Sequence, residues 1–291
     1  MAMAKNRQIW TWFEGKWQEG NVPIMGSADH GTWLGTMVFD GARWFDGVTP
    51  DLDRHCARLI ASATAMGLAA PVGAAEIEAL LHEGVRRMGS DRALYLRPMM
   101  WSRQGSPAII DALPDSTAFA VCIEDLPLRG RAPFALGVSP YRRPGPDCAI
   151  TEAKAACHYP NNARILREAR ARGFDNALSL DAEGKVAETA STNVFLVRDG
   201  VVMTPVPNGT FLDGITRQRI IALLRAEGIS VVEASLDVTD FAAAEEIFLT
   251  GNANKVVPVT RFEQRELHST RIAERALALY RDFAHAGRRA A

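Results

Sequence analysis

Eight residues near the middle of the chain, Leu126-Pro-Leu-Arg-Gly-Arg-Ala-Pro133, hold two prolines and a glycine. Proline removes a backbone donor and fixes φ, while glycine loosens the chain, so such a stretch punctuates regular structure. It is the best linker candidate and divides the chain into 1–125 and 134–291. A length of 291 residues fits two domains of roughly 150 residues each.

Strand and helix patterns occur on both sides. Ile9–Phe13 is aromatic and β-branched and reads as a strand closed by the turn Glu14-Gly15-Lys16. Strands are also expected at 35–40, 42–45, 94–98 and 118–123. Thr49-Pro50-Asp51 opens a helix whose face is Leu52, Cys56, Leu59, Ile60 and Ala63, ended by Gly67. A second helix near 75–87 carries Ile77, Leu80, Leu81 and Val85. In the second half, strands are expected near 134–140, 176–181, 193–198, 201–204, 230–236 and 245–250. Helices are expected near 161–172, 216–227 and 270–286. Mixed α/β layers follow from that rhythm.

Composition removes whole classes of function. The formal net charge is −1, which argues against a nucleic-acid binder working through overall charge. No apolar run approaches a membrane span, and the N-terminus has no export signal, so a cytoplasmic protein is expected. Cys56, Cys122, Cys148 and Cys157 form no CxxC pair and read as reduced thiols. There is no HExxH or paired Cys/His spacing, so no metal site is expected, and no GxGxxG, GxxxxGK[ST] or GxSxG motif.

Of 33 basic residues only Lys5, Lys16, Lys154, Lys185 and Lys255 are lysine. Only lysine can offer a neutral amine, because arginine stays protonated at any working pH. Lys5 lies at the terminus. Lys16 and Lys185 sit in turns, and Lys255 follows the polar turn Gly251-Asn-Ala-Asn254, so a solvated charge is the expectation for each. Lys154 is flanked by small residues in Ala153-Lys-Ala-Ala-Cys157. It is either a nucleophile able to form a Schiff base or a loop lysine with its head in water. Glu188 lies among small residues before an apolar strand. It is either a buried carboxylate needing a partner or an exposed turn residue. Gly214-Ile-Thr-Arg217 is an anion seat at a helix start or a simple cap. Thr250–Asn254 is a second anion seat or a plain turn.

Taken together, these segments resemble the class IV, fold-type IV pyridoxal-phosphate aminotransferases, most of all the branched-chain amino acid aminotransferases. The resemblance rests on Trp12-Phe-Glu-Gly-Lys16, Gly35-Thr-Met-Val-Phe-Asp-Gly-Ala-Arg43, Tyr95-Leu-Arg-Pro98, Ala153–Tyr159, Glu188 through Asn193-Val-Phe, Leu212–Arg217 and Thr250-Gly251 through Val257-Pro258-Val259, in family order. It implies an α/β two-domain enzyme with a smaller N-terminal domain, a larger C-terminal cofactor domain, pyridoxal 5'-phosphate between them, and a homodimer. Lys154 would carry the cofactor and move the proton. Glu188 would face the pyridine nitrogen, Tyr159 the ring 3-oxygen and Leu212 the ring face. Arg58, the main-chain amides of Ile215 and Thr216 after Gly214, and the Gly251-Asn252 turn would hold the phosphate. Arg58 as a helix surface charge and Tyr159 as a core residue are the bland alternatives.

The substrates implied are an amino acid and a 2-oxo acid. Arg97 would read an acidic side chain, and Trp33, Leu34, Met37 and Trp101 would form an apolar wall, with Asn252 and Ala253 also at the pocket. The chain departs from the family pattern twice. Leu34 stands where the branched-chain type has tyrosine, and Asn252 stands where the phosphate turn has threonine. Rival activities on the same fold are transfer from (R)-amines or D-amino acids, a lyase resembling aminodeoxychorismate lyase, and cofactor binding without turnover.

Overall fold

The computed structural model describes residues 7–89, 91–128 and 132–286. Of the expected linker, 129–131 lie outside the described residues. Two compact units emerge: Met1–Leu128 together with Ala153–Cys157, and Arg129–Glu152 together with His158–Ala291. The change of unit between Leu128 and Arg129 falls within the expected stretch 126–133, and only the segment carrying Lys154 departs from that division by packing with the first unit. The Phe39 amide donates to the Lys154 carbonyl, the Lys154 amide donates to Ser62 Oγ, and Ala155 bridges to Val38.

The first unit is built on an antiparallel sheet. Its elements are β1 (Ile9–Phe13), β2 (Lys16–Glu19), α1 (His30–Trp33), β3 (Met37–Phe39), β4 (Ala42–Trp44), α2 (Leu52–Ala65), α3 (Ala74–Met88), β5 (Leu94–Ser102) and β6 (Thr117–Asp125). The strand order is β2-β1-β6-β5-β3, with β4 also paired to β5. Most of the predicted helix faces are buried: Leu52, Cys56, Leu59 and Ala63 of α2, and Ile77, Leu81 and Val85 of α3, share a core with Leu94, Leu96, Val121 and Ile123 of the sheet, while Ile60 and Leu80 are half-buried at its edge. Each fully buried leucine, isoleucine or valine among them contributes about 1.5–3 kcal/mol by leaving water. Ala153 and Ala155 belong to this same core, so packing uses the smallness of the residues beside Lys154.

The second unit holds two further sheets. Its elements are β7 (Ala135–Val138), α4 (Tyr159–Ala171), β8 (Asn176–Leu180), β9 (Val186–Thr189), β10 (Asn193–Arg198), β11 (Val201–Pro205), α5 (Ile215–Ala226), β12 (Val231–Ala234), α6 (Val238–Ala243), β13 (Glu246–Gly251), β14 (Lys255–Pro258), β15 (Arg261–Phe262), β16 (Arg265–Glu266) and α7 (Arg271–Ala286). One sheet runs β12-β11-β10-β13-β14 and the other β16-β15-β7-β8-β9. Leu178, Val186, Val194, Leu196, Ile247 and Leu249 share one core, bringing strands of both sheets together. Among the described residues no helix is long and apolar enough to cross a membrane.

Candidate active site

In the first unit the expected residues lie on α1, β3, α2 and β5 and on the segment Ala153–Cys157, or directly beside them. Lys154 is half-buried, with Nζ 5.0 Å from the centre of the Phe39 ring. Arg58 is no free surface charge. It grips Asp40 with two parallel bonds, Nε to Oδ2 at 2.7 Å and Nη2 to Oδ1 at 2.9 Å. His55 Nδ1 lies 2.7 Å from the same Oδ1. Asp40 is fully buried. Burial alone would push its carboxyl up, but Arg58 and then His55 outweigh this and hold it far below the usual carboxylate range.

Of the expected apolar wall, Trp33 is 57% exposed and Leu34 and Met37 are half-buried. Trp101 is completely buried and donates its indole N–H to Asp29 Oδ2 at 2.9 Å, so it packs beneath the surface and offers no wall. Arg97 does not stand open. Its Nη2 is 2.7 Å from Glu124 Oε1 and its guanidinium lies over Tyr95. Burial works against the Arg97 charge, yet the Glu124 carboxylate outweighs it and raises the pKa.

In the second unit Glu188 lies in β9 and is 7% exposed, which excludes the turn alternative. Its Oε1 meets Arg143 Nη2 at 3.0 Å. Arg143 is itself buried and donates to Thr210 O and Asn162 Oδ1. Asn193 Nδ2 donates to Leu212 O at 2.9 Å and reaches Glu188 Oε2 at 3.4 Å. Asn193 therefore ties Glu188 to the loop before α5. Gly214 caps that helix in extended conformation, and a Cβ there would strike the Asn193 side-chain oxygen. Only glycine lets this backbone come so close. Ile215 and Thr216 follow, both buried, with first-turn amides that have no partner inside the helix. Arg217 locks the turn by pairing with Asp213 and Glu233. Tyr159 opens α4 at 38% exposure and is not core, while Leu212 is half-buried.

The hairpin between β13 and β14 corrects one expectation. Lys255 is 4% exposed, not solvated, and donates to Asn252 Oδ1 at 2.6 Å. Among the described residues, Thr250 Oγ1 and Asn252 Nδ2 are buried without a hydrogen-bond partner. Gly251 is half-buried and Ala253 exposed.

The family model for amino-transferase class IV matches residues 37–262. The chain belongs to the class IV aminotransferases. It is 32% identical over 257 residues to a probable branched-chain-amino-acid aminotransferase of Rickettsia bellii, covering 87% of this chain and 88% of that protein. It is similar to a solved aminotransferase from Brucella abortus bound to pyridoxal phosphate, with TM-score 0.94, 52% identity, and 96% and 99% of the two chains covered. It is also similar to a branched-chain aminotransferase from Thermoproteus uzoniensis solved with norvaline, with TM-score 0.86, 30% identity and 94% of each chain covered. The fold is that of the fold-type IV enzymes, and pyridoxal phosphate is the cofactor of this aminotransferase.

Arg143, Asp40, Asn193, Glu124 and Lys255 were not singled out from sequence as parts of a site. Asp40 sat in a quoted motif without a role. For Arg143 the signal was Arg142-Arg143-Pro144 in a loop, which any surface loop can carry. Asp40, Arg143 and Glu124 gain meaning only from partners distant in sequence, whereas Lys255 and Asn193 gain it from the burial of near neighbours.

Proposed function

We propose that this enzyme transfers the amino group of hydrophobic, chiefly branched-chain, L-amino acids to 2-oxoglutarate by a ping-pong mechanism, as a homodimer. The observation that carries the substrate reading is the pairing of an apolar surface, Trp33, Leu34 and Met37, with one arginine, Arg97, in the same unit. The names of the relatives support the aliphatic half. Donor and acceptor would use one pocket in turn, the first product leaving before the acceptor enters.

The residues present fit the cofactor. A buried carboxylate balanced by arginine suits a protonated ring nitrogen. Two orphaned buried groups, Thr250 Oγ1 and Asn252 Nδ2, with the close-set backbone at Gly214, suit a phosphate. When bound, pyridoxal phosphate supplies an electron sink for the charge left on the substrate Cα. Lys154 would remove the proton from the substrate Cα and deliver it to the cofactor's C4′. Glu188, held by Arg143 and Asn193, would accept a hydrogen bond from the ring N–H and keep that proton in place. Tyr159 would donate toward the ring oxygen, and Leu212 would pack on the ring face. Arg58, oriented by Asp40, would contribute its charge to the phosphate.

Reduction with borohydride and peptide mass spectrometry should place the cofactor label on Lys154. Label on Lys185 or Lys255 instead would sink this mechanism. A panel of L-leucine, L-valine, D-alanine and (R)-amines, with pyruvate and 2-oxoglutarate as acceptors, tests the substrates. L-Leucine with 2-oxoglutarate should turn over fastest. Faster use of (R)-amines or D-alanine would overturn the choice, and pyruvate released from aminodeoxychorismate without any acceptor would identify a lyase. Glu124 refines the expectation, because an acidic acceptor must compete with it for Arg97. Glu124→Gln should therefore lower KM for 2-oxoglutarate, Arg97→Ala should raise it, and KM for L-leucine should move little in either.

A further inference from the structure

We propose that Lys255 positions the cofactor phosphate by fixing the amide of Asn252, standing in for the hydroxyl that the resemblance leads one to expect at this turn. The inference rests on the reading above that the Gly251-Asn252 turn faces the phosphate.

A lysine directly after a polar turn would ordinarily point into water. Lys255 does the reverse. It is 4% exposed, at a left-handed backbone position with φ of 64°, and paired in register with Gly251 across the hairpin. A left-handed φ costs a non-glycine residue energy, so the hairpin holds this lysine in place against a local preference. Its Nζ is 2.6 Å from Asn252 Oδ1, and the ammonium also lies 5.4 Å from the centre of the Tyr280 ring.

That bond settles which way the amide faces. An ammonium has only donors, so it can bind only the oxygen of Asn252. The Nδ2 end is thereby committed as a donor elsewhere. Yet among the described residues Nδ2 is buried with no acceptor, and so is the hydroxyl of Thr250 two residues earlier. Orphaned buried donors are costly and rare, and two on one hairpin point to an absent acceptor. A ligand able to accept from both needs several exposed oxygens, as a phosphate has. Lys255 would act through Asn252 and would not itself touch the cofactor. A buried positive charge immediately behind the donor also strengthens its bond to an anion.

The test compares pyridoxal phosphate with pyridoxal, which lacks the phosphate, in absorbance titrations of the full-length apoenzyme. Asn252→Ala and Lys255→Met should each weaken pyridoxal phosphate binding about tenfold, the typical worth of a hydrogen bond to a charged group. Pyridoxal binding should stay within about twofold, the size of ordinary context effects on a distant contact. The double variant should bind no worse than Asn252→Ala alone. A threonine hydroxyl needs no lysine, so Asn252→Thr should restore binding, and adding Lys255→Met to it should change nothing. Equal losses for pyridoxal and its phosphate in Lys255→Met would mean a structural role and overturn the proposal. So would an unchanged affinity in that variant while Asn252→Ala loses phosphate discrimination. If Asn252→Ala itself keeps full discrimination, the phosphate reading of the turn fails first. Thermal melting of each apo variant reports folding. If Lys255→Met does not fold, Lys255→Gln, which removes the charge and shortens the donor, is read by the same ratios.

Discussion

Asp40 shows how one buried side chain can organise others. It receives two bonds from Arg58 and lies beside His55, all within the first unit. Because its folded pKa is depressed, its contribution to stability is complete above the unfolded value near 3.9 and is lost as pH falls toward the folded value. Asp40→Asn should cost about 3–5 kcal/mol near neutrality, since it leaves the buried His55 and the half-buried Arg58 without their carboxylate. The gap in urea midpoint between wild type and variant should then narrow from pH 5 to pH 2. A gap independent of pH would mean that Asp40 is not ionised in the folded protein. At this scale the sequence was legible where a residue type is scarce. Five lysines invited five questions, and Lys154 stood out. Lys255 did not, because its burial is set by the hairpin and by Tyr280 of α7, which no local pattern reveals.

Elements were legible in proportion to their length and periodicity. Strands β1, β5, β6, β10 and β13 and helices α2, α3, α4, α5 and α7 lie within a few residues of where the sequence placed them. The short elements β2, α1, α6, β15 and β16 were not foreseen, since they are too short to show a period. Strand β9, Val-Ala-Glu-Thr, is buried throughout, so it has no alternation to read, and its charged residue argued for a turn. Helix α3 yields a prediction against ordinary propensity. Alanine normally favours a helix over glycine by about 1 kcal/mol. At Gly84, however, a Cβ would collide with Ile123 Cδ1 and lie 2.5 Å from Trp17 Cη2. Gly84→Ala should therefore destabilise the protein by about 1–3 kcal/mol, the usual cost of overpacking. A raised melting temperature would show that the side chains of Trp17 in β2 and Ile123 in β6 yield easily to the helix.

The molecule as a whole is two units whose chain assignments interleave. The sequence placed a break near 126–133 but could not place Ala153–Cys157, because an alanine pair carries no mark of the core it fills. A fragment ending at Leu128 lacks Ala153 and Ala155, and with them the groups that meet Ser62, Val38 and Phe39. It should show a broad, non-cooperative melt by circular dichroism, and adding a peptide spanning 150–160 should sharpen it. A sharp melt without the peptide would make the segment dispensable to folding. The same interleaving limits how genes of this family can recombine. A crossover placed in the proline-rich stretch looks neutral, yet it hands Ala153–Cys157 to one parent and the pocket of Val38 and Ser62 to the other. Viable chimeras should therefore be those in which both come from a single ancestor, so that the lysine and the floor beneath it are inherited as one piece although the open reading frame keeps them far apart.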